Sequence, residues 1–181
     1  MVDEKAREII ETTFHDAIKV LGLSSIQYDF SYEKMGVRFR SIDNAAEVDN
    51  ENRNVYINED WANHRVKEFE DDLYYIMAHE ARHVYQEIIM GMYKSGQQTD
   101  EQDELVKSWI NNKNNYIQNQ GGSTVKPYYC QPLEVDADAF ANFYMLAKEI
   151  GQPRFPKESD ELVERRLNEI AAQYGYKLVS D

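Results

Sequence analysis

The sequence predicts an α+β fold, with a helix at the N-terminus, a small and mostly antiparallel sheet, and then a series of helices. Three observations predict it. Apolar residues recur every three or four positions near the start and again through most of the second half. Between those regions they alternate every second position. Gly, Pro and Asn-rich breaks fall where the period changes.

From Asp3 to Leu21, the residues Ala6, Ile9, Ile10, Phe14, Ala17, Ile18 and Leu21 line one side of a helix that Gly22 ends. Ile26, Tyr28, Phe30 and Tyr32 then alternate with polar neighbours and predict a strand. Val37 and Phe39 do the same after a turn at Glu33 to Gly36, and Val55 and Ile57 follow the turn Asp49-Asn50-Glu51-Asn52. The helical period returns from about 63 to 92, with neither Pro nor Gly before Gly91, so one long helix is expected there. The Gln- and Asn-rich stretch at about 95–130 is expected to be a polar insertion holding one helix, at about 104–117. Further helices are expected from about Leu133 to Ile150, ended by Gly151 and Pro153, and from about Ser159 to Tyr174, ended by Gly175.

At 181 residues, 42% of them hydrophobic, the chain suffices for one domain with a real apolar interior, expected to span 1–181 with the polar insertion at about 95–130. Its 33 acidic against 20 basic residues leave a formal charge of −13, which repels a phosphate backbone, so no nucleic-acid partner is expected. The first residues lack the apolar core of a signal peptide, and no apolar run is long enough for a bilayer. No membrane partner and a cytoplasmic location are therefore expected. Cys130 stands alone, so no intramolecular disulfide can form, and no motif around it suggests a nucleophile.

The chemistry is concentrated in His79-Glu80-Ala81-Arg82-His83, an H-E-x-x-H sequence inside a predicted helix. Residues four apart on a helix lie about 40° from each other, so both imidazoles leave from one side and can share one ion. Neutral imidazole suits zinc. Glu80, about 100° round from His79, is placed to take a proton from a bound water. The apolar stripe of this helix is Leu73, Met77, Ala81, Val84 and Ile88, nearly opposite the two histidines. The histidine face also carries Asp72, Tyr75 and Gln86, and so is expected to be open solvent or a polar cleft.

A third ligand is offered by Glu134-Val135-Asp136-Ala137-Asp138 on the next long helix. There Val135, Ala139, Phe143, Leu146 and Ile150 form the expected core stripe, while Glu134 and Asp138, four apart, share a different face. Acidic residues after Pro132 also suit the positive end of a helix. The dipole does not account for both lying off the stripe at this spacing. Two histidines and Glu134 make three protein ligands with one position left for water, the pattern of catalytic zinc. Such an ion lowers the pKa of its water toward ~7. Asp138, one turn beyond Glu134, can accept from the outer ring nitrogen of one histidine and fix its tautomer.

With these two motifs the chain resembles the gluzincins, zinc peptidases that carry H-E-x-x-H on one helix and E-x-x-x-D on another. The resemblance implies His79, His83 and Glu134 as zinc ligands, Glu80 as general base and Asp138 as the partner of His79. It also implies a minimal zincin-like metallopeptidase fold whose edge strand holds an extended peptide across the cleft. Glu134, Ala137, Phe140 and Ala141 are similar to the matching segment of small bacterial and phage-borne ImmA/IrrE-like metallopeptidases. Two features depart from the pattern: Arg82 puts a cation next to the ligands, and the long polar segment separates the motifs. For the oxyanion contact that such enzymes draw from Tyr or His, the candidates are His64, Tyr85, Tyr128 and Tyr129.

The expected function is therefore that of a zinc-dependent endopeptidase acting on an intracellular protein. The alternative is a zincin-like zinc-binding protein without turnover that serves as a peptide- or protein-binding module. A protein in which the motif is accidental and holds no metal is a third reading.

Overall fold

Asp3 starts the fold by accepting hydrogen bonds from the backbone N–H groups of Lys5 and Ala6 at 3.0 and 3.3 Å, which caps helix α1 (Glu4–Val20). The computed structural model describes residues 1–119 and 122–177. All seven residues of the predicted α1 stripe are buried, and Gly22, at φ 78°, ends the helix in the left-handed region. Phe14 meets Phe30 edge-on at 5.7 Å, and Tyr32 donates to Glu11 at 3.0 Å, so the sheet lies along α1.

The sheet has strands β1 (Asp29–Glu33), β2 (Ala46–Asp49) and β3 (Asn54–Asn58) in the order β1-β3-β2. It is mixed rather than mostly antiparallel: β1 runs parallel to β3, and β2 runs antiparallel to it with Val48 opposite Val55. The expected strand at Val37 and Phe39 is a loop, in which Val37 is 96% exposed and Phe39 is 2% exposed. One anchoring aromatic beside an open valine imitates alternation without a pairing partner. The true second strand, Ala46-Glu47-Val48-Asp49, has a single bulky apolar side chain and so carries little strand signal.

Asn58 turns β3 straight into α2 (Glu59–Glu68). Its Oδ1 accepts from the N–H groups of Asp60 and Trp61, and its Nδ2 donates to the carbonyls of Ser41 and Asn44. The single helix expected at about 63–92 is two helices, α2 and α3 (Asp71–Lys94), broken at Phe69 and Glu70 with neither Gly nor Pro to mark the place. Phe69 is at φ −146°, and Arg65 pairs with Asp72 at 3.2 Å across the break.

The segment expected as an insertion contributes to the core through α4 (Asp103–Asn114), whose Val106 and Trp109 are fully buried. The Trp109 Nε1 has no hydrogen-bond partner among the described residues, at a cost of about 1–3 kcal/mol. Removing roughly 200 Å² of indole from water, at about 25 cal/mol per Å², contributes about 5 kcal/mol and outweighs that cost. The short α5 (Val125–Tyr129) leads into α6 (Pro132–Ala147), and α7 (Asp160–Gln173) follows as expected. Helices α1, α3, α6 and α7 pack as successive neighbours, which makes α3 and α6 the two central helices, and β2 lies at the sheet edge that touches α3. None of the described helices is long and apolar enough to cross a membrane.

Candidate metal centre

Because α3 and α6 each have helices on two sides, both bury polar residues along with apolar ones. The predicted α3 stripe is buried at Leu73, Met77, Ala81 and Val84, but Tyr75, Arg82 and Gln86 on other sides are buried too. The histidine face is therefore not open solvent; it is a polar layer against α6 with a partial opening, where the His79 and His83 side chains are 12% and 26% exposed. On α6 the expected stripe is overturned in part, since Val135 is half-buried while Glu134, Asp136 and Asp138 are buried.

His79, His83 and Glu134, predicted from spacing, do come together. The two histidine Nε2 atoms stand 3.0 Å apart, Glu134 Oε2 is 3.6 Å from His79 Nε2, and Glu134 Oε1 is 3.6 Å from His83 Nε2. Donors about 2.1 Å from one tetrahedral ion are about 3.4 Å apart, and these separations bracket that value. The three ligand atoms lie within 4.8 Å of one another. Asp138 Oδ1 is 2.9 Å from His79 Nδ1 and accepts from the Tyr75 hydroxyl at 2.8 Å. A carboxylate only accepts, so Nδ1 carries a hydrogen and Nε2 is the nitrogen that faces the centre. The donor set fits one divalent ion.

The electrostatics suit such an ion. Burial opposes charge on Glu134, but the hydrogen bond with His79 and the electrostatic pull of the two imidazoles hold its carboxyl well below the usual range. Burial likewise opposes charge on His79, yet its bonds to Asp138 and Glu134 win and raise the imidazole well above its ordinary value. Glu80 is half-buried, and desolvation raises its carboxyl against the pull of His83 and His79. Glu134 and Glu47, the latter on β2, raise it further.

The proton on His79 has a measurable consequence. A cation must displace it, so apparent metal affinity should rise with pH below the raised pKa of His79, with protons released on binding. Calorimetric titration in two buffers of different ionisation enthalpy measures that release. Equal heats in both buffers would contradict this account of the pair.

The oxyanion candidates separate clearly. His64 pairs with Glu68 at 3.6 Å on α2, and Tyr85 lies under the Arg82 guanidinium at 4.3 Å, away from the ligands. Tyr128 bonds to Glu134, and its hydroxyl is raised by burial, by that carboxylate and by Tyr116. Tyr129 feels the charges of Asp138 and Glu158. Tyr116, which sequence reasoning passed over, donates to Glu134 Oε1 at 2.7 Å. It lies within the helix expected at about 104–117 but past the end of α4 at Asn114, and no motif around it marks a site.

Arg82 is not a free cation beside the ligands. It is 1% exposed, and its Nε and Nη2 donate to Asp136 at 2.8 and 3.1 Å while Nη2 also reaches Glu101 at 2.8 Å. Arg166 of α7 completes the cluster through Asp136 at 2.7 Å and Glu101 at 3.2 Å. Two cations thus balance two carboxylates at the junction of α3, α6 and α7. Gln86 joins this cluster to the candidate ligand His83, with its Nε2 2.7 Å from Asp136 Oδ2 and its Oε1 2.8 Å from His83 Nδ1. No family model, curated protein or solved structure matches the chain.

Proposed function

We propose that the protein is a zinc-dependent endopeptidase, with His79, His83 and Glu134 holding the ion and Glu80 acting as the general base. The observation that carries this reading is the convergence of two imidazole nitrogens and a buried carboxylate from two helices, with the carboxyl of Glu80 on the next residue. When bound, the ion supplies Lewis acidity toward water and toward a substrate carbonyl.

The remaining steps belong to the chain. Asp138 and Tyr75 hold the His79 ring in orientation. Glu80, whose desolvated carboxyl binds a proton more readily than an exposed one, removes a proton from the attacking water and returns it to the leaving amine. Strand β2 leaves one edge unpaired in the sheet and touches α3. An extended peptide segment of an intracellular protein can add to that edge by backbone hydrogen bonding. The described residues form an α+β fold of seven helices and a three-stranded mixed sheet, and a minimal zincin-like arrangement belongs to the same proposal.

Metal content tests the reading. Wild-type protein purified without chelator should carry about one zinc per chain, and His79→Ala should carry almost none, because structural and catalytic sites lose the ion with a ligand. Wild-type protein that takes up no zinc on reconstitution would overturn it.

A further inference from the structure

The two histidines are held in different ways. His79 faces a carboxylate, whereas the Nδ1 of His83 faces the side-chain amide of Gln86, three residues further along the same helix. We infer that Gln86 is a positioning residue: its amide, locked by Asp136 and the Leu133 carbonyl, keeps His83 in the Nδ1–H form with Nε2 directed at the metal centre. The inference deepens the metal-site reading and rests on it for the role of that Nε2.

The lock follows from the donor and acceptor inventory. An amide offers two N–H donors and one carbonyl acceptor. Gln86 Nε2 lies 2.7 Å from Asp136 Oδ2 and 3.0 Å from the Leu133 carbonyl, two groups that only accept. The nitrogen must face both, and a flipped amide would set its oxygen against them. Gln86 Oε1 is thereby committed to His83, 2.8 Å from Nδ1, and an oxygen that only accepts demands that Nδ1 carry the hydrogen.

Asp136 cannot turn away, since Arg82 holds both its oxygens and Arg166 holds Oδ1 at 2.7 Å. Gln86 and Asp136 are each 1% exposed, so water does not compete for these bonds. The orientation of His83 on α3 is thus set through Asp136 of α6, which Arg82 of α3 and Arg166 of α7 hold in place. The choice of an amide also matters electrically. A carboxylate partner donates charge through the ring, and a neutral amide does so less, which leaves more positive character on a bound ion than two carboxylate partners would.

Two measurements decide the matter. In the metal-free wild-type protein, long-range ¹H–¹⁵N correlation of the imidazoles should show His83 Nδ1 protonated, and a bare Nδ1 overturns the inference. In Gln86→Met, which keeps length but cannot accept, zinc affinity should fall about 10- to 100-fold, with the helical circular dichroism of the metal-free protein retained. An affinity equal to wild type in a folded variant overturns it as well. The nitrogen spectrum is read without metal and without the variant, so it decides the inference even where wild-type protein binds no zinc or Gln86→Met does not fold; lack of zinc by itself speaks only against the peptidase reading.

Discussion

Replacing Glu80 with glutamine is expected to lower peptide hydrolysis by about 10²- to 10⁴-fold while zinc content stays at the wild-type level. Glutamine keeps the size of the side chain and one carbonyl oxygen, and loses only the capacity to take up a proton at neutral pH. Glu80 is not one of the three residues grouped closely enough to hold an ion, so the metal should remain. Turnover of a cleaved peptide and metal analysis on the same preparation separate the possibilities. Wild-type turnover in the variant would remove Glu80 from the chemistry, and loss of zinc would make it a ligand instead.

The second large effect is on stability. Asp136→Ala should destabilise the metal-free protein by about 3–5 kcal/mol, the usual cost of breaking a buried ion cluster from one side. Arg82 and Arg166 would then share Glu101, with Glu169 as the other carboxylate on Arg166, and the Gln86 amide would lose its strongest acceptor. Urea denaturation at neutral pH measures this, and a change below about 1 kcal/mol would mean that the cluster contributes little. Acid dependence follows the same carboxylate. Burial alone would raise Asp136, but Arg82 and Arg166 outweigh it and hold its pKa at about 2, against 3.8 for an ordinary aspartate. The folded value is the lower one, so the stabilisation is complete above 3.8 and is lost as pH falls from there through about 2. Asp136→Ala should remove that part of the acid transition.

Much of this was legible in advance, for identifiable reasons. Helix α1 has one buried face, and periodicity alone located its stripe from Ala6 to Leu21. The meeting of His79 and His83 was legible because two imidazoles four apart on one helix have a geometric meaning before any tertiary structure is known. The stripe argument failed on α3 and α6, since a helix with neighbours on two sides has no single core face, and buried Arg82, Gln86 and Asp136 look like surface residues when read along the chain. Their partners Glu101 and Arg166 come from remote segments with no shared spacing, so the cluster had no local signature. The break at Phe69 was invisible for want of Gly or Pro. The mixed sheet was missed because strand periodicity carries no information on direction.

The strand order β1-β3-β2 also bears on how the chain assembles. Strands β2 and β3 are joined by a turn of four residues, 50–53, in which Asp49 Oδ1 accepts from the Asn52 N–H at 2.9 Å. That ribbon closes at little entropic expense. Strand β1 must wait, because its parallel pairing with β3 spans the whole loop of 34–45 as well as β2. Long-range pairing of that kind comes late in folding. The edge beside α3 is therefore expected to form before β1 joins the sheet.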